Sequence, residues 1–249
     1  MIRLVLFDLE TTGTDVSKEG VVQFGALMCS YDEDTGELSQ PIVLMNTLCN
    51  PGRKIDPEAA EVHGIHDEDV VWAPSDKNVL YQFSLLLERM AAHDPVVLVG
   101  HNIERFDTPL IMQRWPTGQF NSLYSSLDTY TIAIREWPSM PHKLSELYDW
   151  YAEGKPVKAH DAAADCYMVY AILHKYLQET HEKRTLEGLV DWLEEPVVLP
   201  VYPFGKHKGV PLEDVPNSYL KWCAQNFTEV HKDVEATICA ALGVEKFCA

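Results

Sequence analysis

The chain is poor in basic residues: 20 Lys and Arg stand against 38 Asp and Glu, for a net charge of −18. Passive, non-specific binding along nucleic acid needs a broad basic surface, so the charge argues against that class of protein. It does not exclude an enzyme that grips a few nucleotides through metal ions and backbone amides. No apolar run approaches the length of about 20 residues that spans a bilayer, so no membrane partner is expected. The start, MIRLVLFDLE, lacks the apolar stretch and cleavage site of a secretory leader. The cysteines at 29, 49, 166, 223, 239 and 248 form no CxxC and no Cys/His cluster. That spacing argues against a zinc site, and without an extracellular signal the even count is poor evidence for disulfides. A reducing, cytoplasmic setting is the expectation. Internal repeats and low-complexity tracts are also missing.

What is present is ordinary globular material, 46% apolar and 23% charged over 249 residues. This suits one large domain, or one domain plus a small module. Residues 2–9, 21–31 and 41–48 read as strands, with Asp32–Gly36 the clearest turn between them. Such short links predict an antiparallel meander. A short helix is expected at Pro57–Val62. A longer one is expected at Asp76–Ala92, where Val79, Leu80, Phe83, Leu86, Leu87 and Met90 recur at helical spacing. QFSLLL at 82–87 therefore belongs to a core face rather than to an exposed docking peptide.

A buried strand over 95–102 precedes a helix at 108–115. A strand at 123–127 and helices at 129–136, 143–152 and 162–178 complete the pattern. The fold class is α/β, a mixed sheet covered by helices. Beyond residue 179 the character changes to a polar helix and a Pro196–Pro203 connector. A boundary near 195 divides residues 1–195 from a C-terminal module of 196–249. That module is expected to be a hairpin plus helix, with helix-like segments at 217–226 and 230–242.

The stretch LVLFDLETTG places Asp8 and Glu10 on one face of a strand, because side chains alternate along it. Like charges held together lose hydration and repel, so a cation should compensate them. No basic residue lies between Arg3 and Lys18, which leaves a distant Lys or Arg or a metal ion. Asp107 follows the buried strand of GHNIERFDTPLI by a few residues. In HDAAADC, Asp161 suits a helix N-cap and Asp165 falls in the first turn. His160 lies in the preceding loop GKPVKAH, whose flexibility lets it lean over the same cleft. Singly these are bland features, since an Asp after a strand is commonly a cap and a lone His is usually structural. Together, Asp8, Glu10, Asp107 and Asp165 with His160 form a two-metal constellation. Hard oxygen ligands in this number suit two ions of Mg²⁺ or Mn²⁺. Such a pair stabilises the attacking and leaving oxygens of a phosphoryl displacement. An imidazole can take a proton from water, which makes His160 the candidate base.

FDLETTG, HNIERFD and HDAAAD resemble the three motifs of the DEDDh superfamily of proofreading-type 3′→5′ exonucleases, which share a ribonuclease H-like fold. The third has the H-x-A-x-x-D form of that branch. The resemblance covers residues 2–178 and includes EAAEVHGI at 58–65, similar to the family's substrate-lining segment. One departure is that three residues, not two, separate Asn102 from Phe106. The resemblance implies that Asp8, Glu10 and Asp165 hold the catalytic metal and that Asp8 bridges to a second ion. Asp107 supports that ion directly or through water, and His160 is the general base. It further implies that the backbones of Thr11 and Thr12, with His63 and Asn102, seat the terminal nucleotide. Phe106 is expected in the core. FGKHKG…DVPNSYLKW is similar to the small module that ends exonuclease X-like enzymes. There Lys206 and Lys208, flanking His207, are candidate substrate contacts near Tyr219 and Trp222; the alternative is that the aromatics simply pack.

The expected activity is 3′→5′ hydrolysis of nucleic acid with a free 3′ end, DNA ahead of RNA, releasing nucleoside 5′-monophosphates. The alternatives are an exoribonuclease acting on RNA or short oligoribonucleotides and a polymerase-associated proofreading subunit. An inactive binding module is disfavoured by the complete set of acidic residues.

Overall fold

The computed structural model describes residues 1–115, 124–152, 160–227 and 230–245. Strands β1 (Ile2–Thr11), β2 (Val21–Tyr31) and β3 (Ile42–Leu48) form the expected antiparallel meander. Helices α1 (Pro57–His63), α2 (Asp67–Val70) and α3 (Asp76–Ala91) precede β4 (Val96–Gly100). Helix α4 (Asp107–Met112) leads on to β5 (Ser125–Asp128) and α5 (Thr129–Glu136). Then come α6 (Leu144–Tyr151), α7 (Ala162–Thr180) and α8 (Leu186–Glu194). Strands β4 and β5 run parallel to β1, and the sheet order is β3-β2-β1-β4-β5.

The alternation of β1 decides where the chemistry goes. Leu4 and Leu6 face a core shared with α7 and α8, while Val5, Phe7 and Leu9 face the core under α3 and α4. Asp8 and Glu10 continue the parity of Leu4 and Leu6, so they emerge on the face that α7 covers. On the opposite face α3 buries Val79, Leu80, Phe83 and Leu87, so Phe83 and Leu87 of the 82–87 segment enter the core while Gln82 and Leu85 are exposed. The described cysteines are buried and form no disulfide. Among the described residues, no helix is long and apolar enough to cross a membrane.

Residues beyond 195 gather a small core of their own around Tyr202, Val215, Leu220, Cys223, Val234 and Ile238. The expected hairpin exists only as a narrow loop closed by one bridge, Val201 to Pro211, and short 3₁₀ turns replace its strands. Prolines at 200, 203 and 211 lack the amide hydrogens that a longer ladder requires. Two helices follow where the helix-like segments 217–226 and 230–242 are expected, α9 (Asn217–Asn226) and α10 (Lys232–Leu242). An ion pair ties this part to the main sheet layer. Asp233 on α10 accepts from Arg135 Nε at 2.6 Å and Nη2 at 2.8 Å, with both side chains almost wholly buried.

Candidate metal centre

The site forms where three elements end. Strand β1 delivers Asp8 and Glu10, and its pairing with β2 slips by one residue between Glu10 and Thr11. A bulge of this kind re-aims the residues that follow it. Asp107 opens α4 and is buried. Asp165 lies in the first turn of α7, whose N-cap Asp161 accepts from Ala164 N at 3.2 Å. Gln23 of β2 clamps that helix start, donating to Asp161 at 3.2 Å and accepting from Ala162 N at 3.3 Å. Glu10, Asp165 and exposed His160 converge, with one potential ligand atom from each lying within 4.8 Å of the others. His160 has φ +64°, a left-handed conformation uncommon outside glycine. The rest of its loop, residues 154–159 of GKPVKAH, lies outside the described residues.

Electrostatics mark the cluster as strained for protein alone. Burial first, then the charges of Asp107, Asp165, Glu10 and Asp161, push Asp8 well above the usual carboxylate range. Burial and the charges of Asp165, Asp107 and Asp161 push Glu10 up to about 8. Burial raises Asp107 to about 8, and burial raises Asp165 to about 6 despite the neighbouring His160. Asp107 Oδ1 and Asp165 Oδ1 are buried and accept no hydrogen bond. Orphaned carboxylate oxygens beside mutually repelling carboxylates are a donor set that suits a hard divalent cation.

Two hollows hold the candidate substrate residues, and one of them reaches the carboxylates. Thr11, His63 and Phe106, with Glu10, line one of about 280 Å³. Phe106 is half-buried on its wall, not in the core where it was expected, because the helical turn that begins at Asp107 aims the preceding residue outward. His63 is buried, with Nε2 at 3.2 Å from Thr11 O and Nδ1 accepting from Ile65 N at 3.0 Å. Thr12 is fully engaged in the fold. Its amide donates to Gly20 O, its carbonyl accepts from Asp56 N, and its hydroxyl bonds Glu19 and Gly20 N.

Asn102 lies in the second hollow, again with φ +64° and with a buried Oδ1 that has no partner. Its loop is held by Asp128, a residue that sequence patterns did not single out. The buried Asp128 carboxylate accepts from Asn102 N at 2.7 Å, Glu104 N at 3.2 Å and Tyr130 N at 2.9 Å. An Asp directly before a predicted helix was the available signal, and it pointed only to the cap of α5. Lys206 and Lys208 part company. Lys208 lines the hollow of Asn102, whereas Lys206 lies over the Tyr219 ring in a separate groove.

Comparison with known proteins adds to this geometry. Residues 5–173 match the RNase_T family model, described as "Exonuclease". Residues 193–228 match a second model, described as "Putative quorum-sensing-regulated virulence factor". Exodeoxyribonuclease 10 of Escherichia coli K12 is 24% identical over 247 residues, covering 96% of this chain and 97% of the relative. Among solved structures, exonuclease X in complex with 5′-overhanging duplex DNA superposes with a TM-score of 0.55 at 24% identity, over 78% of this chain and 99% of that one. E. coli exonuclease I in complex with a dA16 oligonucleotide superposes with a TM-score of 0.56 at 20% identity, over 77% and 43%. These neighbours carry the ribonuclease H-like α/β fold, the class the sequence implies.

Proposed function

The chain belongs to the exonuclease family whose model spans residues 5–173, and from that premise we propose that it hydrolyses DNA from the 3′ end to nucleoside 5′-monophosphates. The observation that carries this reading is the meeting of Glu10, His160 and Asp165 beside the unpartnered oxygens of Asp107 and Asp165. Asp8, Glu10 and Asp165 would hold one divalent cation, with Asp8 and Asp107 serving a second; Mg²⁺ or Mn²⁺ fits their oxygens. When bound, such a pair offsets the carboxylate repulsion and stabilises charge on the attacking and leaving oxygens.

The remaining work falls to the protein. His160, exposed beside Glu10 and Asp165, takes the proton from the attacking water. The hollow of Thr11, His63 and Phe106 receives the terminal nucleoside, with the Phe106 ring as a face for the base. Thr12 supports that wall through its bonds to Gly20 and Asp56. Asn102, whose buried Oδ1 has no partner, helps seat the terminal nucleotide. The same reading makes residues 1–195 the catalytic domain and 196–249 an accessory module.

The test is a digestion series on 3′- and 5′-labelled single-stranded DNA, duplex DNA and RNA, with Mg²⁺, Mn²⁺ or chelator. Immediate release of the 3′ label as a mononucleotide, only with metal and faster from DNA than RNA, is the expected result. Release from the 5′ end, or undiminished activity in chelator, would overturn the proposal.

A further inference from the structure

Two hollows meet where the C-terminal module faces the main domain. One, of about 510 Å³, has Arg105, Tyr130, Phe204 and Phe227 in its walls. The other, of about 420 Å³, runs from Asn102 past Lys143 to Lys208. Both are lined by Tyr130 and Phe204, so together they form one cleft that begins beside the metal-centre loop. Each is the size that a ligand group fills.

The charge of this lining opposes that of the molecule. Arg105, Lys143 and Lys208 are joined by one carboxylate, Glu146, in a chain whose net charge is −18. Glu146 lies 3.9 Å from Lys143 with both side chains well exposed, a geometry that binds the pair weakly. Asp128 beneath the floor is committed to three backbone amides. The lining histidines His101, His142 and His231 have their pKa values lowered by burial, so they add no charge at neutral pH.

We infer that this cleft carries the single-stranded stretch leading to the 3′ end, with Arg105, Lys143 and Lys208 against phosphates and Tyr130 and Phe204 against bases. The inference rests on the nuclease reading above. Cations tracking a backbone beside rings that stack on bases are how single strands are gripped without sequence preference. A duplex keeps its base faces stacked internally and gives such rings nothing to meet. The C-terminal module is then one wall of the substrate path, supplying Phe204 and Lys208. Lys206 is not on the path, since its ammonium lies 4.8 Å from the Tyr219 ring in the groove with Trp222.

The experiment uses the full chain carrying Asp8→Asn, so that binding is read without turnover. The affinity of a labelled oligodeoxythymidine is measured against salt for this parent, for Lys143→Ala/Lys208→Ala and for Lys206→Ala. Loss of two phosphate contacts should reduce the log–log salt slope by about 1.4, roughly 0.7 per contact on a single strand. In the active protein, the same double substitution should lower kcat/KM on long single strands about tenfold relative to that on a dinucleotide. An unchanged slope in the double variant, a loss confined to Lys206→Ala, or an equal loss on blunt duplex would overturn the cleft assignment. If the unsubstituted protein releases nucleotides from no nucleic acid, the nuclease reading falls and the cleft with it. If it does release them and the double variant's slope is unchanged, only the cleft assignment falls.

Discussion

A Cβ added to Gly25 would stand 2.4 Å from the carbonyl carbon of Ala162, so glycine at this point of β2 is what lets the start of α7 press onto the sheet. Gly25 is also the register partner of Asp8. The contact therefore sets how far Asp165, three residues into the helix, stands from the β1 carboxylates. Gly25→Ala should push the helix outward and spoil the metal geometry while the cores stay intact. Misplacement by about 1 Å can cost 10²-fold, so kcat is expected to fall by about that factor with weaker Mn²⁺ binding. Unaltered kcat and Mn²⁺ midpoint would show that the close approach does not position the site.

The raised carboxyls predict an inverse dependence of stability on pH in metal-free protein. Glu10 and Asp107 stand at about 8 and Asp165 at about 6, against roughly 4 for these groups in an unfolded chain. Between those limits the folded state binds more protons than the unfolded state, so stability falls as pH rises. Tm in chelator should drop from pH 5 to pH 8 when measured against Asp107→Asn/Glu10→Gln. Added Mn²⁺ should raise Tm most at the alkaline end. A metal-induced shift that is independent of pH would contradict the assignment.

His160→Ala should slow hydrolysis by about 10²–10⁴-fold, the usual cost of losing a general base. Metal affinity should be nearly retained, because the carboxylates supply the ligands. His160 does lie within ligand range of Glu10 and Asp165. A collapse of Mn²⁺ affinity in this variant would make it a ligand instead.

Asp233→Ala should destabilise the protein by about 3–5 kcal/mol, the cost of leaving a buried guanidinium without its carboxylate. Arg135 would keep its bonds to the carbonyls of Trp192 and Glu195 and its place over the Trp192 ring, none of which supplies a negative charge. Chemical denaturation checks this. A loss under about 1 kcal/mol, the range of exposed pairs, would show that water reaches the pair.

The parts of the fold that were legible in the sequence are those written locally. The parity of β1 put Asp8 and Glu10 on one face, and the apolar spacing of α3 separated its core residues from its solvent face. The Asp161 cap marked where α7 begins. What escaped was pairing between distant segments. Asp128 looks like a cap for α5, and nothing in the sequence around it tells that Asn102 and Glu104 also hang on its carboxylate. Arg135 and Asp233 are 98 positions apart, and a single-residue pair leaves no period to detect. Phe106 looked like core because aromatic residues beside a buried strand usually are. Its half-buried place on the wall follows from where α4 begins, which the motif did not specify.

The most direct test of the central claim is turnover of 3′-labelled single-stranded DNA by Asp8→Ala at saturating Mn²⁺, with circular dichroism confirming the fold. A carboxylate shared between two metal positions cannot be spared, so no release of nucleoside 5′-monophosphate above background is predicted. Turnover at the unsubstituted rate would mean that Asp8 holds no catalytic metal, and the metal centre described here would have to be abandoned.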